Sequence, residues 1–162
     1  MKKKLKIYLD TSVINFLFAD DAPDLKNITI DFFDNYLEDY EVFISDIVIN
    51  EIKKTNNESK KLLLIEVIDK YKIKIFADIV EEIFILSEEY INRSIIPKSK
   101  IEDALHLAFA TFYEFDVLLS WNFKHLANLK NQEQVFIVNL ENGYKKQLIM
   151  TNPMEVIYDK GI

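Results

Sequence analysis

The sequence of 162 residues contains no cysteine, two glycines and two histidines. Without cysteine there is no disulfide framework, no thiolate metal site and no cysteine nucleophile. The two glycines, Gly143 and Gly161, are too few for the glycine-rich loops that cradle nucleotide phosphates. The two histidines, His106 and His125, rule out a zinc centre built from several histidines. Any chemistry that the chain performs therefore depends mainly on carboxylates, amides and hydroxyls.

An excess of positive charge is also missing, since the formal net charge is −7 and the sequence pI is about 4.9. Proteins whose whole surface binds nucleic acid are usually basic, so the overall charge argues against that class. Clusters of lysines could still form local basic patches around an acidic pocket, although solvated helix faces are the simpler explanation. These clusters are Lys53–Lys54, Lys60–Lys61, Lys145–Lys146 and the run Lys2–Lys4.

Long hydrophobic runs are absent, because the apolar stretches are too short or too interrupted to span a bilayer. The basic start resembles a signal peptide, but Asp10 follows after a few apolar residues and no small-residue cleavage site comes next. A cytoplasmic protein is therefore expected. The length, the 49% hydrophobic content and the lack of a linker or repeat predict a single domain over residues 1–162.

Five runs of aliphatic and aromatic residues predict strands, several of them apolar on successive positions as in strands covered on both faces. They are Leu5–Asp10, Glu41–Ser45, Lys72–Phe76, Asp116–Ser120 and Gln134–Asn139. Apolar residues at a period near 3.6 predict helices between them, over residues 27–40, 58–71, 78–94 and 99–114. This alternation favours a three-layer α/β/α fold, with helices covering a central, mostly parallel sheet of four to five strands.

Asp10 directly follows the first predicted strand, in the segment KIYLDTSVIN. A carboxylate is costly to bury alone, so either Asp10 caps the next helix or it belongs to a site that requires negative charge. In open α/β sheets, ligands bind outside the carboxyl ends of the strands, where Asp10 is expected. Thr11 or Ser12 would serve equally well as a cap. The position alone therefore leaves both roles open.

Three further segments place polar residues at comparable strand and helix junctions. Glu51 lies in ISDIVINEI, Asp103 in KIEDALHLAFA, and Ser120 and Asn122 in VLLSWNFKHL. Singly, each has a structural explanation, such as a rim glutamate, a contact with the helix dipole or an N-cap. Three acids at one edge of a sheet, however, repel one another unless a cation neutralises them. Oxygen ligands of this kind suit Mg²⁺ or Mn²⁺.

These segments, in this order, resemble the four motifs of the PIN domain, the small nuclease fold of VapC-type toxins and related endoribonucleases. YLDTSVINFLF is similar to the first motif, SDIVINEI to the second, IEDALHLAFA to the third and LLSWNFKHL to the fourth. TNPMEVI near the end is similar to the endings of one branch of these proteins. The resemblance covers nearly the whole chain.

The resemblance implies an endoribonuclease that hydrolyses RNA phosphodiester bonds with Mg²⁺ or Mn²⁺, and that acts as the toxin of a toxin–antitoxin pair. RNA is then the expected substrate and an antitoxin protein the expected partner. The implied site consists of the metal ligands Asp10, Glu51 and Asp103, the further catalytic residue Asn122, and the supporting residues Ser12, Asn15 and Ser120.

One position departs from the family pattern, because His125 stands where many PIN toxins carry a fourth acid. The missing charge could weaken a second metal site, so a degenerate PIN module that binds RNA or protein without catalysis stays an alternative. A role of His125 as a general acid is also open, although a surface histidine at a helix end is commoner. His106, within an apolar run, is interpreted as a structural, semi-buried residue.

The early helices carry more aromatic residues than a small core requires. Such an excess is typical of a surface that is covered in an assembly, so a homodimer is expected. The residues concerned are Phe16, Phe18, Phe32, Phe33 and Tyr36.

Overall fold

In the computed structural model, which describes residues 3–76 and 78–158, five parallel strands form one sheet in the order β3-β2-β1-β4-β5. The strands are β1 (Lys6–Leu9), β2 (Glu41–Ser45), β3 (Lys74–Phe76), β4 (Val117–Leu119) and β5 (Ile149–Thr151). Because neighbouring strands are parallel, their carboxyl ends meet at one edge of the sheet. The ends of the predicted domain, residues 1–2 and 159–162, lie outside the described residues.

Seven α-helices occur in the described ranges. They are α1 (Thr11–Asn15), α2 (Pro23–Asp31), α3 (Asp46–Lys53), α4 (Glu58–Lys70), α5 (Glu81–Asn92), α6 (Ile101–Phe112) and α7 (Leu129–Glu141). Side chains at the N-caps of α3, α4 and α7 accept hydrogen bonds from backbone N–H groups of the first turn, which fixes where these helices begin. None of the described helices combines the length and apolar character that a bilayer crossing requires.

The core consists of two hydrophobic clusters on opposite faces of the sheet. Alternate residues of β1 point to opposite sides, so Tyr8 packs with residues of α5, α6 and α7, whereas Ile7 and Leu9 pack with residues of α1, α3 and α4. The predicted three-layer α/β/α fold with a parallel sheet is thereby confirmed.

The prediction of a fifth strand at Gln134–Asn139 is wrong. These residues belong to α7, and the fifth strand is Ile149–Thr151. The four successive apolar residues at positions 135–138 fit a buried strand and a helix equally well. In α7, Val135 and Asn139 are buried whereas Ile137 is 55% exposed, which is the spacing of a helix with one buried face.

The helix predicted over residues 27–40 begins earlier, at Pro23, and its α-helical part already ends at Asp31. It consists of α2 followed by a π-turn and a 3₁₀-turn. Phe32 and Phe33 are buried in the core of the chain itself. The other aromatic residues behind the homodimer prediction are partly buried against that core: Phe16, Phe18 and Tyr36. The homodimer stays a prediction. Its support is weaker than the composition suggests, because these aromatic residues pack in or against the core of the chain itself.

Candidate active site

Asp10 directly follows β1 at the carboxyl edge of the sheet, and its side chain is 3% exposed. Its carboxylate accepts a hydrogen bond from the Val13 N–H at 3.4 Å, which makes Asp10 the N-cap of α1. Much shorter bonds come from the hydroxyls of Ser12 and Ser120, both at 2.5 Å. Asp10 is therefore a cap and, at the same time, a member of a buried polar cluster.

Burial raises the pKa of Asp10, because the ionised carboxylate loses its contacts with water. The charge of His106 and the two serine hydrogen bonds oppose this rise, and the negative charge of Asp103 adds to it. A buried acid whose pKa is raised in part by a neighbouring acid is typical of functional sites and is not needed for a helix cap.

Asp103 lies in the first turn of α6 and is joined to Asp10 through the end of β4. The amide Nδ2 of Asn122 donates to Asp103 Oδ2 at 2.9 Å. The backbone N–H of Asn122 donates at 2.9 Å to the Ser120 hydroxyl, which in turn donates to Asp10. Asn122 and Ser120, both predicted site residues, thus connect the two aspartates.

The electrostatics of Asp103 depend on the same neighbours. Burial raises its pKa, and the charges of His106 and His125 oppose this rise. The charge of Glu51 adds to it. Asp103 in turn raises the pKa of Asp10, so Asp103 lies within electrostatic range of both other acids. His125, which stands where many PIN toxins carry a fourth acid, lies near Asp103, and its backbone N–H donates to Asn122 Oδ1 at 3.0 Å.

Glu51 comes from α3, and both polar contacts of its carboxylate fall on one oxygen. The Thr11 hydroxyl donates to Glu51 Oε1 at 2.8 Å, and His106 Nε2 lies 2.5 Å from the same oxygen. Burial alone would raise the pKa of Glu51, but the hydrogen bond and charge of His106 and the bond from Thr11 outweigh it and lower the pKa. The pKa of Glu51 is thus shifted in the opposite direction to those of the two aspartates, which favours its ionised form.

His106 is the site residue that the sequence interpretation missed. It is 2% exposed, and its Nδ1 lies 2.6 Å from the Tyr8 hydroxyl. Burial lowers the pKa of His106, but the hydrogen bond and charge of Glu51 and the charges of the two aspartates raise it by more. A signal was present in the sequence: His106 follows Asp103 by three positions, so both lie on the same face of α6.

The three predicted supporting residues behave differently. Ser12 and Ser120 both hold Asp10, and the Ser12 hydroxyl also accepts the Trp121 N–H at 2.9 Å, which ties α1 to the end of β4. Asn15 ends α1 and is half-buried. Among the described residues, its side chain forms no hydrogen bond with the other residues of this site, and its supporting role stays a prediction.

Hydrogen bonds through Ser120 and Asn122 link Asp10 to Asp103, whereas the carboxylate of Glu51 bonds to Thr11 and His106. Within residues 3–76 and 78–158, no three carboxylate or imidazole side chains are placed to hold one metal ion. Among these residues, Glu51 Oε2 and Asp103 Oδ1 accept no hydrogen bond. Each of these two acids therefore keeps one oxygen available for a ligand.

A groove of about 500 Å³ adjoins the site on the side of His125. Its lining includes Ser94, Lys98, Lys124, His125 and Asn131, and we call it the basic groove. The ring of Phe123, the residue before Lys124, is 49% exposed and packs edge-on with the ring of Trp121 at a centroid distance of 5.7 Å. The segment that follows Asn122 therefore carries an exposed aromatic ring and positive charge.

No protein-family model matches the sequence, and no curated protein matches it. Solved structures match in fold. One is VapBC2 from Rickettsia felis bound to a DNA fragment from their promoter, with 14% identity and a TM-score of 0.55, covering 91% of this chain and 98% of that chain. Another is Mycobacterium tuberculosis VapC20, a sarcin-ricin loop cleaving toxin, with 12% identity and a TM-score of 0.56. This match covers 74% of this chain and 92% of that chain. The chain therefore has the PIN-like fold of VapC toxins, as its sequence motifs predict.

Proposed function

We propose that the protein is a metal-dependent endoribonuclease that hydrolyses RNA phosphodiester bonds and acts as the toxin of a toxin–antitoxin pair. The observation that carries the proposal is the linked cluster of Asp10, Glu51 and Asp103 at the carboxyl edge of a VapC-type fold. Asp103 raises the pKa of Asp10 and Glu51 raises that of Asp103, and a cation among these acids would stabilise their ionised forms. One of the structural neighbours is a sarcin-ricin loop cleaving toxin, which agrees with this chemistry.

The donor atoms fit Mg²⁺ or Mn²⁺, which take oxygen ligands. Mg²⁺ is usually bound by one or two carboxylates and keeps several waters. Asp10 and Asp103 are therefore the proposed direct ligands, and Glu51 the ligand through water. This division of roles agrees with the absence of a three-acid cage among the described residues.

When bound, the ion would supply a water of lowered pKa and would neutralise charge on the scissile phosphate. The chain provides the positioning. Ser12 and Ser120 fix both oxygens of Asp10, and Asn122 orients Asp103. Glu51 is ionised because its pKa is lowered, so its free oxygen can accept a hydrogen bond from the attacking water.

The surroundings of the site support single-stranded RNA as the substrate. Exposed aromatic rings such as that of Phe123 stack with unpaired bases. Lys98 and Lys124 supply positive charge for the phosphates beside the scissile bond. This local charge offsets the acidic balance of the whole chain.

The partners and location belong to the same proposal. The neighbour VapBC2 was solved bound to a DNA fragment from their promoter, which supports an antitoxin as the partner of this chain. The homodimer and the cytoplasmic location are proposed with it.

The proposal is tested by incubating the purified protein with a labelled single-stranded RNA. We expect cutting in Mg²⁺ or Mn²⁺, no cutting in EDTA, and recovery of cutting when excess metal is added back, because the activated water depends on the ion. Cutting that survives EDTA would contradict the metal dependence. An absence of cutting in either metal would favour the alternative, a non-catalytic RNA- or protein-binding module, to which the missing fourth acid at His125 points.

The role of the basic groove is tested by charge reversal. The double variant Lys98→Glu, Lys124→Glu is expected to lower kcat/KM for RNA by about tenfold or more. The salt dependence of kcat/KM is also expected to become flatter, because each lost phosphate contact removes about 0.7 from the slope of log affinity against log salt for single strands. The matched control is Lys72→Glu with Lys145→Glu. These exposed lysines precede β3 and β5 at the opposite edge of the sheet, so the net charge changes equally. Equal losses in both double variants would show that only the overall charge matters.

A further inference from the structure

A buried chain of polar side chains runs from the start of α3 to Glu51. The Ser45 hydroxyl caps α3 by accepting the Ile47 N–H at 3.1 Å, and it lies 2.7 Å from the Tyr8 hydroxyl. The Tyr8 hydroxyl lies 2.6 Å from His106 Nδ1, and His106 Nε2 lies 2.5 Å from Glu51 Oε1. These hydrogen bonds therefore connect the start of α3 to Glu51 of the same helix through Tyr8 of β1 and His106 of α6.

One set of proton positions satisfies every member of this chain. Ser45 accepts a backbone N–H, so its own hydroxyl proton is free to donate to Tyr8, and Tyr8 donates to His106 Nδ1. His106 then carries its proton on Nε2 and donates to Glu51. In the imidazolium form Nε2 also carries a proton, so the bond to Glu51 is present in both charge states.

Burial makes this chain of hydrogen bonds rigid. Tyr8 and Ser45 are fully buried and His106 is 2% exposed, so water does not replace a broken bond. The Tyr8 ring packs against the rings of Phe109 and Phe115, with centroids 5.2 and 5.6 Å away. Throughout the described part of the chain, every buried side-chain nitrogen or oxygen has a hydrogen-bond partner. The imidazole is consequently held in one orientation by its two neighbours.

We propose that His106 is a positioning residue that holds Glu51 Oε1, so that Oε2 serves the metal-bound water, and that Tyr8 and Ser45 fix the imidazole for this task. This inference rests on the proposed function. Thr11 donates to the same oxygen, so Oε1 is doubly engaged and Oε2 is not. Mutation of partners that orient a metal ligand in this way typically lowers metal affinity or activity by roughly 10–100-fold.

The test is the Mn²⁺ affinity measured by titration calorimetry. His106→Leu is expected to weaken Mn²⁺ binding by about 10-fold or more, since Glu51 loses the donor that orients it. His106→Gln is expected to recover most of that affinity, because its amide N–H can reach the same oxygen. Tyr8→Phe keeps the ring packing and removes only the hydroxyl, so a smaller loss is expected. Circular dichroism shows whether each variant is folded.

The matched control is Tyr90→Phe. Tyr90 is also fully buried, and its hydroxyl donates to Asn139 Oδ1 at 2.5 Å, away from the acids. Its removal costs a buried hydrogen bond of the same kind and is expected to leave Mn²⁺ affinity unchanged.

The outcomes separate this inference from the proposed function. If folded His106→Leu binds Mn²⁺ as tightly as the wild type, the positioning role is overturned and the nuclease proposal stands. If His106→Leu does not fold, Tyr8→Phe decides, and an affinity equal to that of Tyr90→Phe overturns the role. Wild-type protein that binds no Mn²⁺ overturns both.

Discussion

Asp103→Asn is expected to lower the rate of RNA cleavage by about 100-fold or more while the melting temperature holds or rises. The activity falls because an amide is a poorer ligand and leaves the metal-bound water less activated. The fold is spared because the amide oxygen of the new side chain can still accept the Asn122 Nδ2 hydrogen bond. Burial raises the pKa of Asp103, so the ionised carboxylate destabilises the folded protein at neutral pH, and its removal relieves that cost.

The matched control for Asp103→Asn is Glu102→Gln. Glu102 lies in the same first turn of α6, and its replacement removes the same charge from the helix N-terminus. Thermal unfolding and a cleavage assay on both variants decide between a catalytic and a structural role. A drop in stability of about 0.3–1 kcal/mol without loss of activity would identify Asp103 as a helix-dipole contact only.

Glu51→Gln is expected to reduce cleavage by a similar factor, but with the opposite effect on stability. The hydrogen bond and charge of His106 hold the pKa of Glu51 below its ordinary value, so the fold is stabilised by the ionised carboxylate. Glutamine keeps the size of the side chain but loses the charge-assisted bond. Because Glu51 is partly exposed, we expect a loss of about 1 kcal/mol in the free energy of unfolding at neutral pH.

The pH dependence of Glu51→Gln has a defined sign. A carboxyl group whose pKa is lowered in the folded state contributes stability above its ordinary pKa, and that contribution is lost as the pH falls through the lowered value. The difference in stability between wild type and Glu51→Gln is therefore expected to shrink in acid. Denaturant unfolding of both proteins at neutral and acidic pH measures it. A difference that grows towards acid pH would contradict the described contact with His106.

The carboxyl edge of the sheet was predictable because strand ends are short-range features. Asp10 and Ser120 directly follow buried strands, and parallel strands bring their carboxyl ends together whatever the loops do. β5 was missed because it has only three residues and Ile149 is 47% exposed, so it shows no continuous apolar pattern. The apolar run at positions 135–138 was longer and more strand-like, yet it belongs to a helix, in which Val135 and Val138 are buried and Ile137 is exposed.

The role of His106 could not be predicted from local pattern alone. Its partners Tyr8 and Glu51 lie 98 and 55 positions away in the chain. Their meeting depends on how α6 packs across β1 and α3, which is a tertiary effect. A lone histidine in an apolar helix is more often structural, and only the buried contact with an acid distinguishes this one.

The central claim is that Asp10, Glu51 and Asp103 together bind a divalent cation, and Mn²⁺ titration calorimetry of the metal-free protein tests it most directly. The expected result is saturable binding of about one ion per chain, with the affinity of Asp103→Asn weaker by about tenfold or more. Glu102→Gln is expected to bind as the wild type does. A wild-type protein with no saturable Mn²⁺ binding, or an Asp103→Asn variant with unchanged affinity, would contradict the claim.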